Sequence, residues 1–396
     1  MLIERVFSDF EVLIDFLIVT IKLCILDYSH ASLDFKGVEL MANNDNIVHV
    51  VGTGTIGEPL IGLLADMKEE LGIDEVTFYK HSPVVTDRPK IKGLLNRGAA
   101  LAVSEDKIKE FRELGVEPTY ETEEAIKRAS VVIDCTPKGT GLANKEKYYK
   151  KYTHLVKGFL AQGSEFGFGK MYALGINDEA ITDKDQFIHI VSCNTHNIAV
   201  VIKTLAIEGK KNHLVDGRFV CIRRANDVSQ TSSFVPSPQV GKHKDKDMGT
   251  HHARDVYHLF KTLGYELNVF SSALKINTQY MHSIWFSLKL DKKITLEEVE
   301  QRFKDNPRVA VTYKDTANLI FSFGRDHGHY GRILNQTVVV LPTLHVRKDY
   351  EVVGFCFTPQ DGNSILSSIA AAERFLYPKE YMEKIRCLGP LLLQEV

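Results

Sequence analysis

The stretch that most constrains this chain runs from Ile47 to Met67. Ile47-Val48-His49-Val50-Val51 is a short apolar, β-branched run. Gly52-Thr53-Gly54-Thr55-Ile56-Gly57 follows at once, and Leu60, Leu63, Leu64 and Met67 then recur at helical spacing. Strand, glycine turn and helix in that order commit the chain to a βα unit. The first glycine permits a tight turn, the second lets a pyrophosphate approach the backbone, and the third lets the helix pack on the strand. The pattern points to a dinucleotide, with Gly52, Gly54, Thr55, Ile56 and Gly57 as contacts. A GxGxxG alone carries little; its setting between a strand and a helix carries the reading.

Further βα units follow. Residues 76–79 read as a second strand, and at its exit, where a carboxylate would accept the ribose hydroxyls of NAD, stand Lys80, His81 and Ser82. A cation and a hydroxyl there suit a 2′-phosphate, and with no carboxylate in that tripeptide NADP is expected over NAD. Residues 99–103, 131–134 and 159–163 read as more strands, with helices over 105–114 and after Thr122. Ligands of an open parallel sheet lie beyond the carboxyl ends of its strands, so Thr136, Pro137, Gln162 and Gly163 are also cofactor candidates. Plain turn chemistry is the alternative for Thr136 and Pro137.

Near the middle of the chain, residues 186–191 form an apolar strand that ends in Ser192-Cys193-Asn194-Thr195-His196-Asn197. Ile198, Val201, Ile202 and Leu205 then mark the stripe of an amphipathic helix. Cys193 therefore sits where a strand becomes a helix. Free backbone N–H groups and the positive end of the helix dipole favour a thiolate there, which makes Cys193 a candidate nucleophile near neutral pH.

Composition removes several classes of function. The 49 basic and 51 acidic residues leave no broad basic field, so no nucleic-acid partner is expected. Six cysteines without a CxxC pair argue against a zinc ribbon, a dithiol redox motif or a disulfide framework, and suit a reducing cytosol. Residues 11–26 are apolar but are interrupted by Asp15 and Lys22 and fall short of a membrane span. Residues 1–40 are expected to be an extension outside the functional fold, which begins at Met41.

Beyond Cys193 strands follow one another over 219–222, 266–274, 282–290, 309–313, 337–341 and 352–357, many with period two. This half reads as a mixed or antiparallel sheet with helices on one face. A capping box, Thr295-Leu296-Glu297-Glu298, opens one of the helices, and the last helices, over 364–377 and after Pro378, are expected to pack back on the first domain. Three clusters could serve Cys193. Arg223-Arg224 closes a strand and suits an anion, or is a solvated surface. His251-His252 stands with Arg254 and Asp255, where an anion site is favoured over a metal. His282 begins an alternating strand and is either a general base or a packing residue.

The ordered set, Gly52 to Gly57, Ser192-Cys193-Asn194-Thr195, Arg223-Arg224-Ala225, His251-His252 with Asp255, and Met281-His282, resembles the archaeal-type (type II) phosphorylating glyceraldehyde-3-phosphate dehydrogenases. Gly324-Arg325-Asp326 also looks like a turn of that family. The likeness covers about residues 46–386. It implies an α/β chain with an N-terminal Rossmann dinucleotide-binding domain and an α+β catalytic domain on a mixed or antiparallel sheet. The expected division is 1–40 outside the core, 41–191 with about 364–396 as the cofactor domain, and 192–363 as the catalytic domain. The resemblance makes Cys193 the nucleophile and His282 the general base, and gives Arg223 and Arg224 to phosphate. Asn194, Thr195, His251 and His252 would lie near the substrate.

It further implies NADP or NAD as cofactor, a phosphorylated aldehyde and inorganic phosphate as substrates, a homotetramer, and a cytoplasmic location without a membrane partner. A related phosphorylated-aldehyde or semialdehyde dehydrogenase remains an alternative, as does a dinucleotide-binding homologue that has lost catalysis. One departure bears on that choice: His196-Asn197 stands where the family has Thr-Gly. It is expected to alter the phosphate site, the thiol or the nicotinamide fit.

Overall fold

Two eight-stranded sheets organise the protein. The computed structural model describes residues 45–228 and 234–396, so the expectation for residues 1–40 lies outside the described residues. The first sheet holds β1 (Ile47–Val51), β2 (Glu75–Tyr79), β3 (Ala100–Val103), β4 (Tyr120–Glu121), β5 (Val131–Asp134), β6 (Gly158–Gln162), β7 (Lys170–Tyr172) and β8 (Phe187–Ile190). Their order is β4-β3-β2-β1-β5-β6-β8-β7, and every pairing is parallel. The order reverses between β1 and β5, which makes a crevice at their carboxyl ends. Burial on both faces explains the mostly apolar runs: all five residues of β1, His49 among them, and all four of β5, Asp134 among them, are buried.

Helix α1 (Gly57–Asp66) leaves the β1 turn, α2 (Thr140–Lys147) follows β5, and α3 (Cys193–Ala206) follows β8. In the second half α4 (His251–Lys261) precedes a strand, and α5 (Ile365–Leu376) is the last long helix. The second sheet comprises β9 (Leu214–Arg223), β10 (Gln239–Val240), β11 (Val269–Lys275), β12 (His282–Leu290), β13 (Val309–Thr312), β14 (Thr337–Val340) and β16 (Glu351–Thr358), with β15 (His345–Arg347) pairing β16. It is mixed: β9 runs parallel to β11 and antiparallel to β12, and β13 runs parallel to β14. Two expectations shift, one for a strand start and one for a turn. Residues 266–268 lie before β11, and Gly324-Arg325-Asp326 lies inside a helix, Ala317–His327, where Arg325 and Asp326 pair at the surface.

Two main cores follow. Ile365, Leu366, Ile369 and Leu376 of α5 pack with Val48, Val50, Leu60 and Leu64 in the core of the parallel sheet. Burial of each such side chain contributes roughly 1.5–3 kcal/mol. The opposite stripe of the chain, Ile198, Val201, Ile202 and Leu205 of α3, packs with Phe219, Ile284 and Phe286 of the mixed sheet. Helix α3 thus begins at one sheet and buries its length against the other.

Candidate active site

At the cofactor crevice the backbone is held by what glycine lacks. Gly52 adopts φ +101°, and a Cβ on Gly57 would lie 2.0 Å from the Gly52 carbonyl oxygen. A Cβ on Gly54 would meet nothing within 4 Å, so the turn opens onto free space at the mouth of α1. Gly52, Gly54, Thr55, Ile56 and Gly57 thus surround a concave backbone that fits a pyrophosphate. The β5 exit closes the other side, since the Gly52 Cβ position is 3.3 Å from the Cys135 carbonyl oxygen.

Sequence reasoning missed what shapes that exit. Asp134 Oδ1 accepts the backbone N–H of Thr136 (2.9 Å) and its hydroxyl, while Oδ2 accepts from Asn144 (2.8 Å) and Tyr149 (2.6 Å). Thr136 is therefore turned towards Asp134, and Pro137 is exposed at the rim. Buried Glu165 accepts the N–H groups of Gly139 and Leu142 at the start of α2. Its only sequence signal was a carboxylate two residues beyond Gly163. Gln162 turns its amide to Ser364 and Ser368 beside α5, and the Gly163 carbonyl accepts from His189 (2.7 Å). The Gln162 side chain is thus spent on α5; only its place at the strand end is left to border a ligand.

At the β2 exit the carboxylate-free expectation fails. Asp87, from the turn that follows, reaches back to Lys80 at 2.9 Å, and Lys90 lies 3.5 Å from Asp87 and 3.7 Å from Glu58. Burial opposes the Asp87 charge, but the two lysines outweigh it and hold the carboxyl below its usual range. His81 contacts the Tyr79 hydroxyl at 3.0 Å, and Ser82 is half-buried. The 2′ end of the crevice is an ion-pair cluster whose lysines are already engaged.

The second group of residues converges on the start of α3. Cys193 opens the helix directly after Ser192, whose hydroxyl contacts Thr195 Oγ1 at 2.9 Å instead of capping the helix. Burial pushes the Cys193 thiol up to about 11, against the pull of Arg224, Arg223 and the Asn194 N–H. In the free protein burial therefore opposes the thiolate that the strand-to-helix position favours. The helix end and two guanidiniums are present, but desolvation of the charged form is the larger effect.

Arg223 and Arg224 are adjacent and have opposite fates. Arg224 is buried; its guanidinium takes both oxygens of Asp361 (2.8 and 3.2 Å) and one of Asp227 (2.9 Å). It is not available to a phosphate, which corrects the paired-arginine expectation. Arg223 has no carboxylate partner among the described residues, and its buried Nε has no hydrogen-bond partner. Its charge is felt by Cys193, His251, His252 and His282, so all five side chains share one locale.

The histidines are held neutral. His251 and His252 start α4, capped by Thr250, with ring centroids 4.0 Å apart. Burial lowers both, and Arg223 adds to the effect. His252 Nε2 lies 3.5 Å from the Asn194 amide, whose oxygen accepts from Thr358 (3.2 Å). Burial, then Arg224, Arg223 and Lys275, keeps His282 well below its usual value. His282 Nδ1 accepts the backbone N–H of Arg224 at 2.9 Å.

His196 and Asn197 point away from this group. His196 is fully buried, with Nδ1 3.2 Å from the Ser192 carbonyl and Nε2 2.8 Å from the Ser367 hydroxyl; burial lowers it to about 4. A carbonyl only accepts, so Nδ1 donates and Nε2 accepts. Asn197 donates to the Phe357 carbonyl and Thr358 Oγ1, and accepts from the Cys356 thiol. Both side chains are struts between the cysteine helix, α5 and β16. Both therefore pack behind the site, and Asn197 is linked to the Asn194 side chain through the Thr358 hydroxyl. Asn363 adds a third strut, donating to the carbonyls of Cys193 (2.9 Å) and Gln336 (3.0 Å).

No family model matches the chain. Among curated proteins it is 26% identical over 313 residues to the glyceraldehyde-3-phosphate dehydrogenase of Pyrobaculum calidifontis, covering 76% of this chain and 84% of that one. It is 28% identical over 270 residues to the enzyme of that name from Methanobacterium formicicum, covering 67% and 73%. The chain is a relative of the archaeal glyceraldehyde-3-phosphate dehydrogenases. Similarity to a third such dehydrogenase, from Metallosphaera sedula, is 27% over 305 residues, or 74% of this chain and 79% of that one.

Proposed function

We propose that the protein is an oxidoreductase of this kind, an NAD(P)-dependent glyceraldehyde-3-phosphate dehydrogenase that forms an acyl phosphate. One observation carries the reading. Cys193 stands at a helix start in the same locale as an arginine with no carboxylate partner among the described residues and three histidines whose charging burial disfavours, in a chain whose glycine turn fits a dinucleotide pyrophosphate. The parallel sheet with α5 serves as the cofactor half, and the mixed sheet with α4 as the catalytic half.

In this reading Arg223, with His251 and His252, holds the substrate phosphate, as a guanidinium and imidazole N–H groups do well. The thiol, high in the free protein, loses its proton to solvent, with the charges of Arg224 and Arg223 favouring the thiolate. Sγ then attacks the aldehyde carbon, the C–S bond forms, and the carbonyl electron pair moves to oxygen beside His282. When bound, the nicotinamide supplies a hydride acceptor at this carbon. Oxidation leaves an acyl thioester on Cys193. Inorganic phosphate attacks its carbonyl carbon, the C–S bond breaks, and the thiolate returns. For the 2′ end, NADP is the better match if Lys80 and Lys90 turn from Asp87 to a phosphate.

The test is a steady-state assay with glyceraldehyde 3-phosphate and each nicotinamide cofactor, with and without phosphate. Reduction of cofactor that depends on phosphate is expected, and its loss in Cys193→Ser with cofactor binding intact. Turnover that survives Cys193→Ser would remove the covalent mechanism, and a faster rate on another aldehyde would reassign the substrate.

A further inference from the structure

Behind the cysteine helix lies a cavity of about 310 Å³, and none of Arg223, His251, His252 and His282 lines it. Helix α5, the segments that lead into β13 and β14, and the short helical turn Ile385–Leu391 enclose it. Most of the wall is apolar, from Leu174, Leu334, Leu366, Leu388 and Leu392, the first four of them buried. Its volume is that of a small ligand pocket. One corner is polar and incomplete. Gln336 Nε2 donates to the Leu174 carbonyl (2.8 Å), and Asn363 Nδ2 donates to the carbonyls of Cys193 (2.9 Å) and Gln336 (3.0 Å). A carbonyl only accepts, so these bonds fix which end of each carboxamide is nitrogen. Gln336 Oε1 and Asn363 Oδ1 are left over without a hydrogen-bond partner, on residues only 4% and 1% exposed. Buried acceptors left unpaired are costly, so a donor inside the cavity is called for.

The same corner holds unspent positive charge. The Gln336 N–H donates to the Arg308 carbonyl at 2.7 Å, which continues the parallel register of Val309 with Thr337 back by one residue. Paired residues of neighbouring strands project on the same face, so the Arg308 guanidinium and the Gln336 carboxamide stand side by side. Arg308 is laid over Gly175, where a Cβ would come 2.0 Å from the guanidinium carbon. Arg386 stands at the exposed rim. Among the described residues neither arginine has an ion pair or a side-chain hydrogen bond.

We propose that this cavity is a regulatory site for a small apolar carboxylate with an O–H or N–H donor beside the carboxylate, as in an α-hydroxy or α-amino acid with a large apolar side chain. The carboxylate meets Arg308 and Arg386, the donor meets Gln336 Oε1 and Asn363 Oδ1, and the side chain lies against the leucine wall. Water alone could serve the two acceptors, but it gains nothing from that wall and brings no charge to the arginines. Asn363 ties the cavity to the cysteine. Its Nδ2 holds the Cys193 carbonyl, so a ligand that fixes the other end of the same carboxamide changes how firmly the start of α3 is held. The inference needs only the geometry of Asn363 and Cys193, and stands whatever aldehyde the protein oxidises.

Isothermal titration calorimetry of the full chain tests this with 3-phenyllactate, phenylalanine and 3-phenylpropionate, of which only the last lacks the donor. Phenyllactate or phenylalanine is expected to bind about tenfold or more tightly than phenylpropionate. Arg308→Gln should weaken the better ligand about tenfold, and Leu388→Trp, which fills the cavity, should abolish its binding. Arg386→Glu changes only an exposed side chain and should also weaken binding, which keeps the test decisive if the tryptophan variant does not fold. A second readout is the rate at which iodoacetamide labels Cys193. The better ligand should change that rate about twofold or more, and the change should be lost in Arg308→Gln at the same ligand concentration. Absence of binding by all three probes, equal affinity for phenylpropionate, or binding untouched by both arginine substitutions would overturn the site. Binding that left the labelling of Cys193 unchanged would overturn its regulatory role.

Discussion

The turn at Gly52–Gly57 and the turn at Ser192–Asn197 both join a parallel strand to a helix, yet they are built by opposite means. The first is shaped by side chains that are missing, with free space over Gly54 and no room for a Cβ on Gly57. The second is shaped by side chains that are present and buried, with His196 and Asn197 bonded to α5 and β16. An open backbone suits a large ligand that brings its own hydrogen-bonding groups. A braced one suits a single sulfur that must be aimed.

Substitution should separate the two. The largest effect is expected for Gly57→Ala, whose Cβ would collide with a backbone oxygen that cannot move aside. A loss of about 3 kcal/mol or more is expected in urea unfolding, with dinucleotide binding abolished. Next comes His196→Ala, which leaves a cavity and two unpaired partners in the core, at about 3 kcal/mol. Here dinucleotide binding should persist in the folded fraction while alkylation of Cys193 changes rate. Equal effects of the two substitutions on cofactor binding would erase the contrast.

His196 also gives the braced turn a pH signature. Its folded value of about 4 lies below the usual 6.5, so between these values the unfolded chain binds a proton that the folded chain does not. Stability is therefore full above pH 6.5 and falls as the pH drops towards 4, by at most about 3 kcal/mol from this group. His49, lowered by burial to about 3, adds a loss of the same sign. Unfolding midpoints from pH 7 to 4 in wild type and His196→Asn check this, since the variant should show the shallower slope.

Two smaller effects sharpen the comparison. Asp87→Asn frees Lys80 and leaves Lys90 with Glu58 alone as an acidic neighbour, and should shift selectivity towards NADP by about fivefold or less, as expected for partly exposed pairs. At the braced turn, iodoacetamide should label Cys193 about tenfold faster per pH unit up to about 11. Arg223→Ala should slow labelling at pH 8 roughly threefold by removing one nearby cation.

The same contrast explains what the sequence disclosed. Missing side chains leave a local signature, so the glycine turn, the parallel strands and the position of Cys193 were legible from spacing and apolar runs. Bracing by side chains is settled by distant partners and leaves none. Arg223 and Arg224 look alike in the chain, and what distinguishes them is Asp227, three residues beyond Arg224, together with Asp361, 137 residues beyond it. Asp87 is seven residues from Lys80, close enough to have been read, but its reach back depends on the turn between them. His196 reads as a reactive group in a catalytic loop until Ser367 is known to stand behind it. The thiol's high value has the same origin, since burial is a property of the whole assembly of elements.

Helix α5 and the residue before its cap close the structure late. Asn363 reaches back 170 residues to the Cys193 carbonyl, His196 meets Ser367 across 171, and Gln162 meets Ser368 across 206. During synthesis the strands of the first sheet therefore emerge long before the pieces that brace its cysteine. The apolar faces that α5 covers must wait uncovered through that interval, when unpaired hydrophobic surface is most prone to aggregate. The Cys193 sulfur is among the first parts of the candidate site to be made and among the last to be aimed.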